Sequence, residues 1–188
     1  MGLYIGLVHH PVYNKRYETI ASAVTIFDLH DIARAAMTYG VTRFTVITPL
    51  EDQRQLVERV LDHWIKGFGA QYNSNRKEAL ELIDLMPSIE DAVGRLRTES
   101  GLDPLVVATD ARDTEFPCIS FDRLRRLLNE PAPVLLLFGT AWGLHRKVLE
   151  RAAYMLEPVK GPSSYNHLSV RSAAAIILDR LMGTDSRQ

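Results

Sequence analysis

The sequence contains a single cysteine, Cys118, among 188 residues. One thiol can form neither an intrachain disulfide nor, within one chain, a cysteine-based metal cluster, which excludes disulfide-stapled and zinc-ribbon folds. The six histidines form no HxxxH or HExxH pair. The sequence therefore predicts no metal site.

The common nucleotide and hydrolase signatures are absent too. No GxGxxG and no Walker A segment is present, so a phosphate-cradling nucleotide fold has no support, and no serine lies in a GxSxG turn. The N-terminal apolar stretch becomes polar by His9, which is far short of a signal peptide or of a membrane span of about 20 residues. We therefore expect a cytoplasmic protein without a membrane partner.

Charge of one sign is in little excess, since the formal net charge is −1. This balance argues against an indiscriminate nucleic-acid binder, which needs clustered lysine and arginine to neutralise phosphates. Residues 122–180, however, contain nine basic and five acidic residues, a net charge of +4. This excess indicates either a surface that RNA phosphates approach or a set of solvated helix faces.

The composition, 46% hydrophobic and 24% charged, is typical of a folded globular protein. A chain of this length is long enough for one well-buried core, so we predict one domain over residues 1–188. Short apolar runs alternate with helical patterns, which is typical of an α/β protein with a mainly parallel sheet and helices on both faces. The predicted strands are Leu3–Val8, Phe44–Thr48, Leu105–Thr109, Val134–Phe138 and Tyr154–Leu156, and the predicted helices include Lys77–Leu85, Ile89–Glu99 and Phe121–Asn129.

The stretch Gly161–Ala175 runs from a polar loop into a helix. Free backbone N–H groups in the first turn of that helix, followed by small side chains, suit a polar ligand held by main-chain contacts. An ordinary helix with Ser169 as its N-cap explains the same residues. The segment alone leaves both interpretations open.

Three segments, in this order, resemble the three motifs of the SPOUT superfamily of S-adenosylmethionine-dependent RNA methyltransferases. They are Ile32–Ala33–Arg34 with Ala36 and Tyr39–Gly40–Val41, Phe138–Gly139–Thr140 with Gly143–Leu144, and Asn166–Val170 with Ala173. Together they cover nearly the whole chain. Ala141 and Trp142 stand where many members carry a glutamate, so no carboxylate role is expected there.

The resemblance implies a fold, a cofactor and partners. It implies a deep trefoil knot over about residues 105–181, S-adenosylmethionine as the cofactor, and a homodimer with the last helix, Val170–Leu181, in the interface. It also implies a structured RNA substrate, tRNA or ribosomal RNA, and not DNA. The residues expected to bind the cofactor are Thr109, Phe138, Gly139, Thr140, Trp142, Gly143, Leu156, Glu157, Pro158, Val159, Asn166, His167, Leu168 and Ser169.

Arg34 is the first catalytic candidate, because motif one of the superfamily supplies such an arginine and a guanidinium holds a phosphate bidentately. A surface arginine paired with Asp31 is the alternative. The other catalytic candidates are Asp28, whose position also suits a helix N-cap, and His30, which can accept a proton near neutral pH. His9, His10 and Tyr13 follow the first predicted strand, where they are compatible with the substrate side of the same cleft; we interpret them as a solvated loop.

Two other classes of protein stay open at this point. Open parallel sheets bind many ligands at their strand ends, so the chain is also compatible with a small-molecule α/β enzyme. A non-catalytic protein that keeps the cofactor pocket is compatible with the departure at Ala141 and Trp142 in motif two. It is also compatible with motif three, where His167 occupies the position in which the superfamily usually has asparagine. Cofactor titration and a methyl-transfer assay on RNA separate these alternatives.

Overall fold

A seven-stranded sheet forms the centre of the part of the chain that the computed structural model describes, residues 2–112 and 115–184. The strands are β1 (Leu3–Val8), β2 (Val12–Tyr13), β3 (Thr19–Ile20), β4 (Arg43–Ile47), β5 (Ile83–Met86), β6 (Leu105–Thr109), β7 (Cys118–Ile119), β8 (Val134–Gly139) and β9 (Tyr154–Leu156). The order across the sheet is β5-β4-β1-β8-β6-β9-β7, and all its neighbours run parallel. Outside this sheet, β2 and β3 form a small antiparallel hairpin.

Helices cover both faces of the sheet, as predicted. The helices are α1 (Ile26–Thr38), α2 (Glu51–Ile65), α3 (Phe68–Tyr72), α4 (Ser74–Leu80), α5 (Ile89–Ser100), α6 (Phe121–Leu127), α7 (Arg146–Arg151) and α8 (Val170–Met182). Successive side chains of a strand point to opposite faces, so the buried strand β8 contributes to two cores. Leu136 and Phe138 pack in one core with α1, α2, α4, α6 and α8, whereas Leu135 and Leu137 pack in the other with α5 and α7.

The predicted strand bounds agree with the structure for β1, β6 and β9, and those of β4 and β8 differ by single residues. The helix predicted over Lys77–Leu85 is wrong in its second half, because α4 ends at Leu80 and Ile83–Met86 forms β5. β5 pairs with β4 from Phe44↔Ile83 to Ile47↔Met86. This long-range pairing outweighs the local helical pattern.

The C-terminal third crosses the sheet twice. After β8 the chain passes α7 and enters between β6 and β7 as β9, and α8 then returns to pack against α1 and α6. This connectivity is compatible with the knot, which stays a prediction, as does the single domain. No helix among the described residues is long and apolar enough to cross a membrane.

Candidate functional site

The carboxyl ends of four neighbouring strands bring the predicted cofactor loops to one edge of the sheet. Because β1, β8, β6 and β9 are adjacent and parallel, the loops that follow Val8, Gly139, Thr109 and Leu156 lie side by side. Open parallel sheets bind their ligands at this edge.

The motif-two loop begins at Gly139, the last residue of β8, and turns sharply. Ala141 has a φ of 51° and Gly143 a φ of 96°, a region that favours glycine. A Cβ atom on Gly139 would lie 2.7 Å from the backbone nitrogen of Leu144. The turn itself therefore leaves no room for a side chain at position 139.

The segment after β1 holds the motif-two loop in place. The N–H of Trp142 donates to the carbonyl of Tyr13 at 2.9 Å, and the N–H of Tyr13 donates to the carbonyl of Gly143 at 3.0 Å. One step further, the N–H of His145 donates to the carbonyl of Pro11 at 3.1 Å. This clamp leaves the indole of Trp142 half exposed at the edge of the sheet.

The motif-three loop is anchored beside it. The amide of Asn166 donates to the carbonyl of Ala111, in the loop that follows β6. Ser169 is the N-cap of α8 and accepts from the N–H of Ser172 at 3.2 Å, which confirms the capping prediction. Among the described residues, the backbone N–H groups of His167 and Leu168 have no hydrogen-bond acceptor, so they are available to a ligand.

The other predicted cofactor residues form the walls around these loops. Thr109 donates its hydroxyl proton to the carbonyl of Leu137 at 3.0 Å, and the carboxylate of Glu157 accepts from the N–H of Phe121 at 2.6 Å. Phe138 and Leu156 are buried in the core, and Pro158 and Val159 are partly buried. The contacts described for Thr109, Glu157, Phe138 and Leu156 are therefore contacts within the protein, and their roles in cofactor binding stay a prediction.

Motif one lies at the start of α1, where a pairing with motif three was not predicted. Thr25, not Asp28, is the N-cap, so the prediction of Asp28 as N-cap is wrong. The hydroxyl of Thr25 donates to Asp28 at 2.7 Å, and Arg171 of α8 donates to the same carboxylate at 3.0 Å. Arg171 also lies 3.3 Å from Asp31. An ion pair between the half-buried Arg171 and the buried carboxylate of Asp28 thus joins the start of α1, before motif one, to the start of α8 in motif three.

Arg34 is exposed and has no ion pair with any described residue. The alternative that paired it with Asp31 is wrong, because Asp31 pairs with Arg171. Among the described residues, Arg34 therefore presents an unpaired guanidinium nearly two helical turns beyond Asp28, which suits a phosphate or a base edge.

His30 faces a different part of the protein from Asp28. Its ring packs edge-on against Trp64 of α2, with the ring centroids 5.3 Å apart. Burial lowers the pKa of His30, and the nearby charge of Arg76 lowers it further. The structure therefore does not bring His30 and Asp28 together as an acid and base pair.

A buried polar chain under the motif-two loop was missed by sequence reasoning. His9 is fully buried, so its interpretation as part of a solvated loop is wrong. Its Nδ1 lies 3.0 Å from the hydroxyl of Ser22, which lies 2.6 Å from the hydroxyl of Thr140. Thr140 donates its single hydroxyl proton to the carbonyl of Val8 at 2.9 Å, so Ser22 donates to Thr140 and accepts from Nδ1 of His9. The chain ties β1 and the start of α1 to motif two.

The burial of His9 makes stability depend on pH. Desolvation lowers the pKa of His9 from 6.5 to about 4. Between pH 6.5 and about pH 4, the imidazole of His9 is therefore protonated in the unfolded chain but neutral in the folded protein. With respect to this residue, the unfolding free energy is highest above pH 6.5 and decreases as the pH falls to about 4. We expect this residue to cost about 3 kcal/mol of unfolding free energy over that range. The His9→Asn variant, which keeps a donor for Ser22, should lose this component in urea unfolding at pH 7 and 4.5. An equal loss in both proteins would contradict the assignment.

A second unpredicted pair lies at the end of β6. Asp110, whose side chain is 5% exposed, accepts from Nε and Nη2 of Arg112 at 2.9 and 2.7 Å. This hydrogen bonding raises the pKa of Arg112 above its usual value. Both side chains would contact a Cβ atom on Gly143, so the pair supports the outer side of the motif-two loop.

Most basic side chains of residues 122–180 contact acidic or aromatic side chains of the same protein. The ion-paired side chains and their partners are Arg125 with Asp122, Arg146 with Glu115 and Glu150, Arg151 with Glu90, and Arg171 with Asp28 and Asp31. Arg123 and Arg180 lie over the rings of Tyr154 and Phe121. These contacts favour the interpretation as helix faces over that of a free phosphate-binding surface.

A groove of about 540 Å³ lies on the face of the sheet that carries α5 and α7. Its apolar walls include Ile89, Val106, Leu137 and Val148. None of the residues predicted to bind the cofactor lines it. Within residues 2–112 and 115–184, no three histidine, cysteine or acidic side chains converge as metal ligands would.

The sheet brings the three motifs that resemble those of the SPOUT superfamily together at one edge, and comparison with known proteins identifies the family of the chain. The sequence model of a family described as SAM-dependent RNA methyltransferase matches residues 2–183. The chain belongs to this family, whose cofactor is S-adenosylmethionine. The predictions of superfamily and cofactor are thereby confirmed.

Relatives with curated sequences differ in length from this chain. A protein of Oleidesulfovibrio alaskensis named tRNA (guanine-N(1)-)-methyltransferase is 46% identical over 184 residues, which are 96% of this chain and 42% of that protein. An uncharacterized protein of Aquifex aeolicus is 35% identical over 180 residues, 95% of this chain and 87% of that protein. The chain thus spans about two fifths of the named relative.

Solved structures share the fold at low sequence identity. A putative methylase family protein from Neisseria gonorrhoeae has a TM-score of 0.66 at 14% identity, with 100% of this chain and 84% of that chain covered. The SpoU methyltransferase AviRb from Streptomyces viridochromogenes, in complex with AdoMet, has a TM-score of 0.52 at 21% identity, with 97% and 56% covered. At this identity the likeness concerns the fold alone.

Proposed function

We propose that this chain transfers the methyl group of S-adenosylmethionine to a nucleotide of a structured RNA, and that the RNA is a tRNA. The observation that carries the proposal is the joining of the three motifs: Asn166 contacts the loop after β6 beside motif two, and Arg171 bonds Asp28 of motif one. A tRNA substrate is suggested by the name of the Oleidesulfovibrio alaskensis relative. A cytoplasmic location is part of this proposal.

The guanine-N(1) specificity in that name is not part of the proposal. More than half of the relative lies outside the match, because the alignment covers 42% of it. The part of the relative outside the match is therefore an alternative location for the guanine-N(1) methyltransferase activity in its name.

The loops fit a nucleoside ligand held by the main chain. Free N–H groups of His167 and Leu168, the tight turn at Gly139 and the half-exposed Trp142 surround the same edge of the sheet. When bound, S-adenosylmethionine supplies an electrophilic methyl group, so the protein has mainly to position an acceptor in line with it. Arg34 orients the RNA in this proposal, and the Asp28–Arg171 pair fixes the start of α1 relative to the motif-three loop.

Transfer of radiolabelled methyl groups to unmodified RNA tests this function. The purified protein is incubated with labelled S-adenosylmethionine and either tRNA transcripts or ribosomal RNA transcripts, and the RNA is digested to nucleosides. We expect label in one nucleoside of the tRNA sample. Cofactor binding by calorimetry without transfer to either RNA would favour the non-catalytic alternative and contradict the proposal.

We further propose that the protein is a homodimer and that the first residues of α1 and α8 lie in its interface. Phe27 is 72% exposed although it is a large apolar residue, and the guanidinium of Arg171 on α8 lies 5.9 Å from its ring centroid. Exposed apolar surface of this kind marks interaction sites. The surface that α8 itself offers to a partner is smaller than the predicted Val170–Leu181 interface, since Ala174 is fully buried within one chain.

The Phe27→Asp variant tests the dimer. We expect a wild-type dimer at micromolar concentration by light scattering, and a dissociation constant at least tenfold higher in the variant, because a charge replaces a buried ring. Leu102→Asp, at a 41% exposed position in the loop after α5, is the matched control and should stay dimeric. A monomeric wild type, or an unchanged dimer in Phe27→Asp, would refute this surface.

A further inference from the structure

Helices α2 and α4 carry a cation–aromatic contact next to α1. The guanidinium carbon of Arg76 lies 4.5 Å from the ring centroid of Trp64. His30 packs edge-on against the same indole at 5.3 Å. We call these three residues, together with Phe68 and Tyr72 of α3, the Trp64 cluster.

Two buried polar atoms of the Trp64 cluster have no hydrogen-bond partner within the described part of the chain. They are Nε of Arg76 and Nδ1 of His30. No described carboxylate forms an ion pair with Arg76 either. A charged, partly buried guanidinium without an acceptor is unfavourable, and an anionic oxygen would satisfy it. The cluster therefore has the chemistry of an anion site.

Two aromatic rings of the Trp64 cluster are exposed to solvent. Phe68 is 73% exposed and Tyr72 is 78% exposed, and their rings stack at a centroid distance of 6.2 Å and an angle of 23°. Gly69, between them, packs so closely on Trp64 that a Cβ atom would lie 2.6 Å from the indole. Exposed aromatic faces next to a cation are what single-stranded nucleotides bind.

The Trp64 cluster continues the candidate active site along α1. His30 and Arg34 lie one helical turn apart on this helix. Burial and the charge of Arg76 lower the pKa of His30, the charge of Asp31 raises it, and that of Arg34 lowers it. Arg76 and Arg34, which have no ion pair with a described carboxylate, thus both lie near His30 on this surface. Elsewhere in the described chain, many arginines are neutralised by ion pairs.

We propose that the Trp64 cluster binds a nucleotide of the RNA substrate that neighbours the methylated one, with a phosphate on Arg76 and a base stacked on Phe68 or Tyr72. This inference rests on the proposed function and names a contact that selects the RNA. We commit to RNA as the occupant, because one nucleotide supplies both an anionic oxygen for the guanidinium of Arg76 and a base for the exposed rings.

Binding of a fluorescein-labelled, unmodified tRNA transcript to the full chain tests the inference. We expect Arg76→Gln to weaken binding five- to tenfold and to reduce the slope of log affinity against log salt by about 0.7 to 0.9, because one phosphate contact is lost. The double variant Phe68→Ser, Tyr72→Ser should weaken binding by a similar factor without changing that slope, since stacking is not ionic. Arg126→Gln removes an exposed arginine from α6 and is the control for charge alone.

The readouts separate the possible failures. Affinity for S-adenosylmethionine, measured by calorimetry, should be unchanged in every variant and reports an intact fold. Unchanged RNA affinity in both the Arg76 and the double variant, with a wild type that binds and methylates tRNA, would overturn this inference and leave the proposed function standing. A wild type that binds the cofactor but no RNA would overturn both. Loss of dimer in the double variant, with RNA affinity intact, would identify the surface as a protein interface and overturn the inference.

Discussion

Replacement of Arg34 by alanine is expected to lower the single-turnover rate of methyl transfer to RNA about a hundredfold. Arg34 is exposed and unpaired at the start of motif one, so its removal should cost the fold little. If its guanidinium holds the reacting nucleotide, the loss appears in the rate and not in the affinity for S-adenosylmethionine. The measurements are single-turnover transfer to the identified RNA and a calorimetric cofactor titration.

Two further variants sharpen this test. Arg34→Lys should recover little of the rate, because lysine keeps the charge but lacks the planar pair of donors. Arg59→Ala removes an exposed arginine from α2 and should leave the rate within about twofold, which controls for net charge. Near-normal transfer by Arg34→Ala would remove Arg34 from the active site.

The fold was predictable wherever local sequence and tertiary structure agree. The mainly apolar runs Leu3–Val8 and Leu105–Thr109 lie inside the sheet, and their bounds are confirmed. β5 was not predictable in the same way, because Ile83–Met86 continues a helical pattern and becomes a strand only by pairing with β4. β7 has two residues, too few for a periodic pattern.

The candidate site was predictable as a set of motifs but not as a network. The side chains of Arg171 and Asp28 meet although they are 143 positions apart in the sequence, and nothing in either segment indicates the partner. His9 offered one signal, since it follows directly on a buried strand, but that position alone does not distinguish a buried imidazole from an exposed one. Its contact with Ser22 depends on the path of the loop between β1 and α1.

These contacts also change how the motifs are understood. Asp28 was a catalytic candidate, but its carboxylate accepts from Thr25 and Arg171 and is mostly buried. That arrangement suits a residue that positions α1 against α8. Arg34, on the same helix, has no ion pair with any residue in the described ranges. We therefore propose that Asp28 positions the helix whereas Arg34 contacts the RNA.

Substitution of Gly139 by valine should weaken binding of S-adenosylmethionine at least tenfold, which corresponds to about 1.4 kcal/mol. The physical reason is the turn of the motif-two loop, because a Cβ atom would lie 2.7 Å from the nitrogen of Leu144 and 3.0 Å from its side chain. The backbone must move to admit the side chain, and the loop that holds Trp142 and Gly143 moves with it.

Gly139→Ala and Gly94→Ala complete the experiment. Gly139→Ala introduces the same Cβ with the least added volume and should weaken cofactor binding to a smaller extent. Gly94 lies in α5, where a Cβ atom would meet nothing within 4 Å, so Gly94→Ala should bind normally and be slightly more stable because alanine favours the helix. Thermal unfolding reports whether each variant is folded at the temperature of the titration. Wild-type affinity in a folded Gly139→Val protein would show that the cofactor does not depend on the shape of this turn, and would move the proposed binding site away from motif two.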